Sequence, residues 1–384
     1  MTIPRRGGPV SLLALVLLLI MLPPGGFSAW TWTEGLRWSY LFLIAMSAVF
    51  LLAPASAWLA ARIGAMDVPD ARKVHTEPVP RIGGLAVYLG FMAAVLRNQQ
   101  FSREVYGILA GGTVIFVLGF FDDWRGLSAR VRLFWQTVAA LAVTFFGLHL
   151  SFPLNLPFGG VLSAALSVFW LVGITNAFNF MDGIDGLASS MGAVCALLFL
   201  GIGWNSGQYP LAFISAALAG ACAGFLRMNW RPARVFMGDS GSTFIGFILG
   251  CLALYGSWAT DNPAVSLSTP LLILGIPIFD IIYTTVSRVR NGSVRTVKEW
   301  LEYTGRDHFH HRLMKLGLGV EATVGFIVLL NVCLGLGAWT IRHTASTLGT
   351  WLLLAQSLLI FVIVVVLMLL GRERTPDGNK GKTT

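Results

Sequence analysis

The chain has 384 residues, 55% of them apolar and only 12% charged, and its mean hydropathy is +0.73. A soluble domain of this length carries about twice that share of charge, which excludes an ordinary water-soluble protein. The net charge of +9 lies in loops between apolar runs, so it is topological and faces lipid headgroups or phosphorylated substrates rather than nucleic acid.

Taken in chain order, an apolar stretch near 10–27 comes first, behind Arg5 and Arg6. It is either a signal peptide cut after Ser28 or Ala29, or a retained extra span, and the second is preferred. Eleven core spans follow, near 38–60, 82–98, 104–121, 133–150, 160–178, 187–204, 209–226, 242–259, 268–288, 320–341 and 348–370. Each is long enough to cross, or nearly cross, ~30 Å of hydrocarbon. The expected fold is an all-α polytopic integral membrane protein with about eleven core transmembrane helices. Its expected parts are the N-terminal apolar segment (1–30), a single transmembrane catalytic domain (31–371) and a polar tail (372–384). No soluble domain fits, because the longest polar loop runs only from Arg288 to Gly319.

All but four of the 27 Lys and Arg residues fall on one side of this arrangement; the exceptions are Arg37, Arg97, Arg103 and Arg342. That side is expected to be cytoplasmic. The four cysteines (Cys195, Cys222, Cys251, Cys333) lie in or at the ends of spans without paired spacing, and read as small buried residues.

The acidic and histidine clusters all fall on the same expected cytoplasmic side. Charges are unfavourable near a bilayer, so carboxylates gathered at one face mark a site. In the first loop, Lys73 and Arg81 belong to a basic, proline-rich stretch (67–84) that either serves topology or reaches over an anionic ligand. Asp122 and Asp123 end the span before Arg125, Arg130 and Arg132. Neighbours on a helix diverge by about 100°, so the two acids divide roles, or else form a solvated helix end.

Asn176, Asn179 and Asp182 recur every three residues at the end of a span, followed by Gly183, Ile184, Asp185 and Gly186. They form one stripe if the helix continues. Amide and carboxylate oxygens at this spacing suit a hard cation such as Mg²⁺; the alternative is a polar helix–loop junction. Phe236-Met-Gly-Asp239-Ser-Gly-Ser opens the next span, with Asn229 and Arg231 upstream. Asp239 either caps that helix or holds a metal while the helix N–H groups meet a phosphate. His308, His310, His311 and Arg312 bind a pyrophosphate, bind zinc, or are solvated. Asp280 lies deeper, behind Pro277, which is expected to kink its span. Asp280 is either a buried partner of an Arg or a lining of the lipid entrance.

In this order the motifs resemble those of the polyprenyl-phosphate N-acetylhexosamine-1-phosphate transferase family, from about Asp67 to Arg312. The matching patterns are the D-x-P-D-x-R-K-x-H-x-x-P-x-P-R-x-G-G loop, the Asp pair, N-x-x-N-x-x-D-G-x-D-G-L, F-x-G-D-x-G-S and H-x-H-H. The His-x-His-His-Arg form looks like the undecaprenyl-phosphate GlcNAc-1-phosphate transferase branch, which initiates O-antigen, teichoic-acid or related glycans.

The resemblance implies transfer of a sugar 1-phosphate from a UDP-N-acetylhexosamine to a polyprenyl phosphate, with release of UMP and with Mg²⁺ or Mn²⁺ as cofactor. It implies Asp239 and Asn179 as metal ligands, with Asp122 and Asp123 positioning or deprotonating the lipid phosphate. Asp182 and Asn176 would support the metal and diphosphate, and Asp185, Ile184 and Phe236 the uracil. Arg132 stands where a lysine is frequent. Lys73, Arg81, Asn229, His308, His310, His311 and Arg312 complete the substrate-binding set. The implied partners are the UDP-sugar, the polyprenyl lipid, the inner membrane and, optionally, a second copy of the chain. A fucosamine or quinovosamine donor would use the same chemistry. The rival from another class is a secondary transporter, whose coupling carboxylates would sit near the midplane on broken helices; here only Asp280 is deep.

Overall fold

The computed structural model describes the chain apart from residues 1–12, 16, 19–25, 70–76, 100, 151–157, 260–261, 297–298, 301–302, 304, 306, 345 and 374–384. The possible cleavable segment near 10–27 therefore lies mostly outside the described residues, as does most of the polar tail.

The first helices are α1 (Gly26–Thr33), α2 (Arg37–Ile63), α3 (Gly84–Asn98), α4 (Arg103–Arg125) and α5 (Ala129–Phe145). The centre is built from α6 (Gly159–Asn179), α7 (Leu187–Asn205), α8 (Tyr209–Asn229) and α9 (Gly238–Tyr255). After these come α10 (Pro263–Ile273), α11 (Gly275–Arg290), the short α12 (Phe309–Lys315), α13 (Val320–His343) and α14 (Thr347–Glu373). Among the described residues, eight helices are long and apolar enough to cross a membrane, and the bent pair α10–α11 makes a ninth span if counted as one. The protein is an all-α polytopic membrane protein. Every expected core span meets a helix, but α3 has 15 residues and α5 has 17, with Arg130 and Arg132 in its first turn, so neither is a full-length apolar span.

Burial sets the layering. In α8 and α9, 83% of the most apolar window is buried inside the protein, against 17% in α14, so the first pair forms the centre and the last helix faces lipid. Where α9 meets α3 and α4, the backbones nearly touch. A Cβ on Gly84 would lie 2.1 Å from the Gly241 nitrogen, and one on Gly119 would lie 2.6 Å from the Asp239 carbonyl oxygen. Small residues permit such approach in membrane bundles, where close packing replaces the hydrophobic drive between helices.

The expected kink at Pro277 is displaced. The chain breaks at Leu274 and bends by 81° between α10 and α11. Pro277 sits in the first turn of α11, where the N–H it lacks would have no helical acceptor in any case.

A two-residue antiparallel hairpin, β1 (Met66–Asp67) with β2 (Val79–Pro80), closes the first loop. The loop's return is fastened to the 236–237 segment: the Phe236 amide donates to Pro80 (2.8 Å), and Gly83 and Gly84 donate to the carbonyls of Phe236 and Met237 (3.0 and 2.8 Å). At the opposite end of the bundle, Arg37 is buried. It donates to the Asn98 amide oxygen, the Ser28 hydroxyl and the Arg97 carbonyl, each at 3.0 Å, and stacks on Trp32 and Tyr40.

Candidate active site

The ends of α4, α6 and α9 and the first loop meet at the basic end of the bundle. Asp122 and Asp123 close α4, and their carboxylates part as their helical spacing requires. Both Asp123 oxygens point at the start of α9, accepting the amides of Asp239 (2.8 Å) and Ser240 (2.9 Å). A helix start has orphan N–H donors and a partial positive charge, so a buried carboxylate is stable there. Of the two readings of Asp239, the helix cap is supplied instead by Asp123 from another helix, and these amides meet a protein carboxylate rather than a phosphate. Asp122 turns the other way, accepting the Leu127 amide (2.6 Å) and Arg132 Nη1 (2.9 Å).

Asp239 stands between them. Its Oδ2 lies 3.2 Å from the same Arg132 nitrogen, its Oδ1 accepts from Asn179 (3.3 Å), and Arg81 Nη2 lies 3.7 Å away. Arg81 also pairs with Asp123 at 3.3 Å. Burial alone would lower the Arg81 guanidinium, but the Asp239 and Asp123 carboxylates outweigh it and hold Arg81 above its ordinary value. Gly238 makes the junction feasible. Its φ is +71°, and a Cβ there would lie 2.1 Å from the Arg81 carbonyl and 2.5 Å from Asp123 Oδ2.

Asp182 follows α6 in a turn, so the stripe from Asn176 does not continue as helix. Burial, then the charges of Asp239 and Asp123, push its carboxyl well above the ordinary range, against a hydrogen bond from Gly238. Four carboxylates here face two guanidiniums. Such a deficit suits a divalent cation, because Mg²⁺ uses one or two carboxylates together with substrate phosphates. Among the described residues no three His, Cys, Asp or Glu side chains form a ready metal cage. The donor set therefore fits an ion shared with a phosphorylated ligand, and does not fit a structural zinc.

The other expected site residues divide into two groups. Asp185 accepts from the Ala233 amide (3.1 Å), and Phe236 and Ile184 are half-buried along the same end of the bundle. Asn176 is turned from the acids to Gln136 (2.7 Å). Asn229 is a buried strut joining Gly186, Ser189 and Val235. Arg312 is also buried, donating to the carbonyls of Asp307 (2.7 Å) and Met368 (2.9 Å).

His308 meets Asp280, so the buried partner of Asp280 is a histidine and not an arginine (Nδ1–Oδ2, 2.7 Å). His310 is 1% exposed, with no hydrogen-bond partner on either ring nitrogen, and its Nε2 would lie 2.2 Å from a Cβ on Gly183. Burial, with His311 and His308 alongside, lowers its pKa well below the ordinary value. His311 is half-buried next to it. Lys73 lies outside the described residues. Sequence reasoning missed Gln136, whose signal was its position one helical turn after Arg132.

The model of glycosyl transferase family 4 matches residues 105–257, the stretch from α4 through α9. The chain is 32% identical to a probable undecaprenyl-phosphate N-acetylglucosaminyl 1-phosphate transferase of Bacillus subtilis, over 88% of this chain and 92% of that one. The chain belongs to the polyprenyl-phosphate N-acetylhexosamine-1-phosphate transferases of family 4. It is a transferase. A decaprenyl-phosphate N-acetylglucosaminephosphotransferase of Mycolicibacterium smegmatis is also 32% identical, over 88% of this chain and 90% of its own. An undecaprenyl-phosphate alpha-N-acetylglucosaminyl 1-phosphate transferase of Yersinia pestis is 30% identical, over 84% and 88% respectively. Within this family, the Asp122–Asp123–Asp182–Asp239 cluster is the candidate active site of the transferase.

Proposed function

We propose that this transferase moves N-acetylglucosamine 1-phosphate from UDP-GlcNAc to undecaprenyl phosphate, releasing UMP and starting a lipid-linked glycan. The observation that carries this reading is the convergence of four carboxylates and two partly exposed arginines at the end of a membrane bundle. One substrate comes from water and the other from lipid, and a boundary is where both can meet. The charge asymmetry of the loops supports a cytoplasmic site in an inner membrane.

An oxygen of the lipid phosphate attacks the sugar-bearing phosphorus of the UDP-sugar. A new P–O bond forms, the bond to the bridging oxygen breaks, and UMP leaves with the electron pair. A phosphate monoester has a second pKa of about 6, so the acceptor is mostly dianionic at neutral pH and needs positioning more than a strong base. Arg81 and Arg132 offset the repulsion between the two anions. His310 offers two unpartnered ring nitrogens beside the Asp182–Gly183 turn. Direct attack is favoured over an aspartyl intermediate, because an already anionic polyprenyl phosphate needs only positioning to act as the nucleophile. Asp239 and Asn179 are the residues that would hold Mg²⁺ or Mn²⁺, which would supply Lewis-acid neutralisation of the diphosphate.

The test is UMP release by purified protein with UDP-GlcNAc, undecaprenyl phosphate and Mg²⁺, beside Asp239→Asn. Metal-dependent release that the substitution abolishes is the expected result. Release only with another UDP-amino sugar, such as a fucosamine or quinovosamine donor, would replace the substrate and keep the chemistry. Folded protein inactive with every donor would overturn the proposal.

A further inference from the structure

Asp280 lies in the second turn of α11 and is 1% exposed. Its two oxygens go to one neighbour element: Oδ2 to the His308 ring at Nδ1, and Oδ1 to the Phe309 amide at the start of α12, both at 2.7 Å. The other His308 nitrogen lies 3.2 Å from Arg288 Nη2. A guanidinium only donates, so Nε2 holds the lone pair and Nδ1 the proton that Asp280 accepts. Arg288 is itself fixed by two 2.7 Å bonds to Asp307, immediately before His308. The face of the His308 ring stacks on Phe180, centroids 4.6 Å apart, and Phe180 directly follows Asn179. His310, two residues further, abuts Gly183. One imidazole thus joins α11 to the turn that carries Asp182.

We propose that Asp280 is a positioning residue for the transfer: by orienting His308 and fixing the start of α12, it places His310 against the Asp182–Gly183 turn. This inference deepens the transferase reading and rests on it for its kinetic part alone. Removing a charge-assisted hydrogen bond changes an equilibrium by about tenfold or more, so loosening of α12 is measurable without global unfolding.

The experiment labels the full-length protein with diethyl pyrocarbonate and reads each histidine by mass spectrometry, for wild type and Asp280→Asn. In the wild type, buried His308 and His310 are protected and exposed His343, at the far end of α13, reacts. Asp280→Asn keeps an acceptor for the Phe309 amide but loses the charge facing His308. The expected result is about tenfold faster labelling of His308 and His310, with His343 and the melting temperature unchanged. In UMP release, KM for the UDP-sugar rises by about the same factor while KM for the lipid phosphate stays. Retained protection of both histidines in a folded Asp280→Asn protein overturns the inference. If that variant does not fold, His308→Leu and His308→Asn carry the test. Asn can donate to Asp280 and keeps His310 protected, whereas Leu exposes it; equal labelling of His310 in the two overturns the inference. A wild type that shows the labelling pattern yet releases no UMP would remove the transferase reading and leave the positioning intact.

Discussion

The two ends of the bundle handle arginine in opposite ways. At the end opposite the acids, Arg37 is 2% exposed and gives its hydrogen bonds to neutral oxygens while lying on aromatic rings. At the basic end, the Arg81 and Arg132 side chains are 40% and 36% exposed and share carboxylates, with two acids left uncompensated. A satisfied and enclosed cation holds helices together. A cation that is half open beside excess negative charge is available to a ligand. The contrast separates a structural use of arginine from the ligand-facing use proposed for Arg81 and Arg132.

The largest effect that would sharpen this contrast is expected from Asp182→Asn. Its folded pKa is raised, so its ionisation opposes folding: the stability contribution is full below the unfolded value of about 4 and is lost as pH rises through the folded value. At pH 7 the variant should lose activity by about 10²–10³-fold while melting about 2–4 °C higher. UMP release and a thermal melt on the same sample check both signs, and a lower melting temperature would contradict the charge deficit.

Next is Gly238→Ala. Its Cβ would displace the Arg81 backbone or the Asp123 carboxylate, and misplacement of a reacting group by about 1 Å loses about 10²-fold in rate. Overpacking should also destabilise the fold by about 1–3 kcal/mol, measurable by denaturation in detergent. Arg132→Lys comes third. It keeps the charge but cannot reproduce the guanidinium fork, and about a tenfold loss of kcat/KM is expected. Smallest in activity is Arg37→Met, which should leave UMP release within about twofold. It should lower the melting temperature by about 2–4 °C, because Asn98 and Ser28 lose a buried donor. Loss of activity without loss of stability there would erase the distinction between the two ends.

Much of this was legible in the chain. Apolar run lengths put a helix in every core span, though α3 and α5 fall short of full spans and the 268–288 run breaks into α10 and α11. The side of the membrane on which Arg and Asp fell gave the end where Asp122, Asp123, Asp182 and Asp239 meet. What the sequence hid was direction. Asp123 and Asp122 differ only in helical angle, and nothing local says that Asp123 will cap α9, which begins 115 residues later. The break at Leu274 was misplaced to Pro277, because a proline in a first helical turn leaves no kink of its own. His308 and Arg312 sit within the histidine motif, yet their contacts are to Asp280 and to the Met368 carbonyl on distant helices, which no spacing within the motif encodes.

The splitting of the Asp122–Asp123 pair bears on inhibitor design. A compound drawn to chelate two vicinal carboxylates would find Asp123 fully enclosed and already bound to the backbone of α9. The less enclosed pair is Asp122 and Asp239, with side chains 6% and 15% exposed, across the Arg132 nitrogen that both touch. A warhead that replaces this guanidinium with a cation of its own, on a scaffold reaching the lipid boundary, would compete for the opening proposed for both substrates.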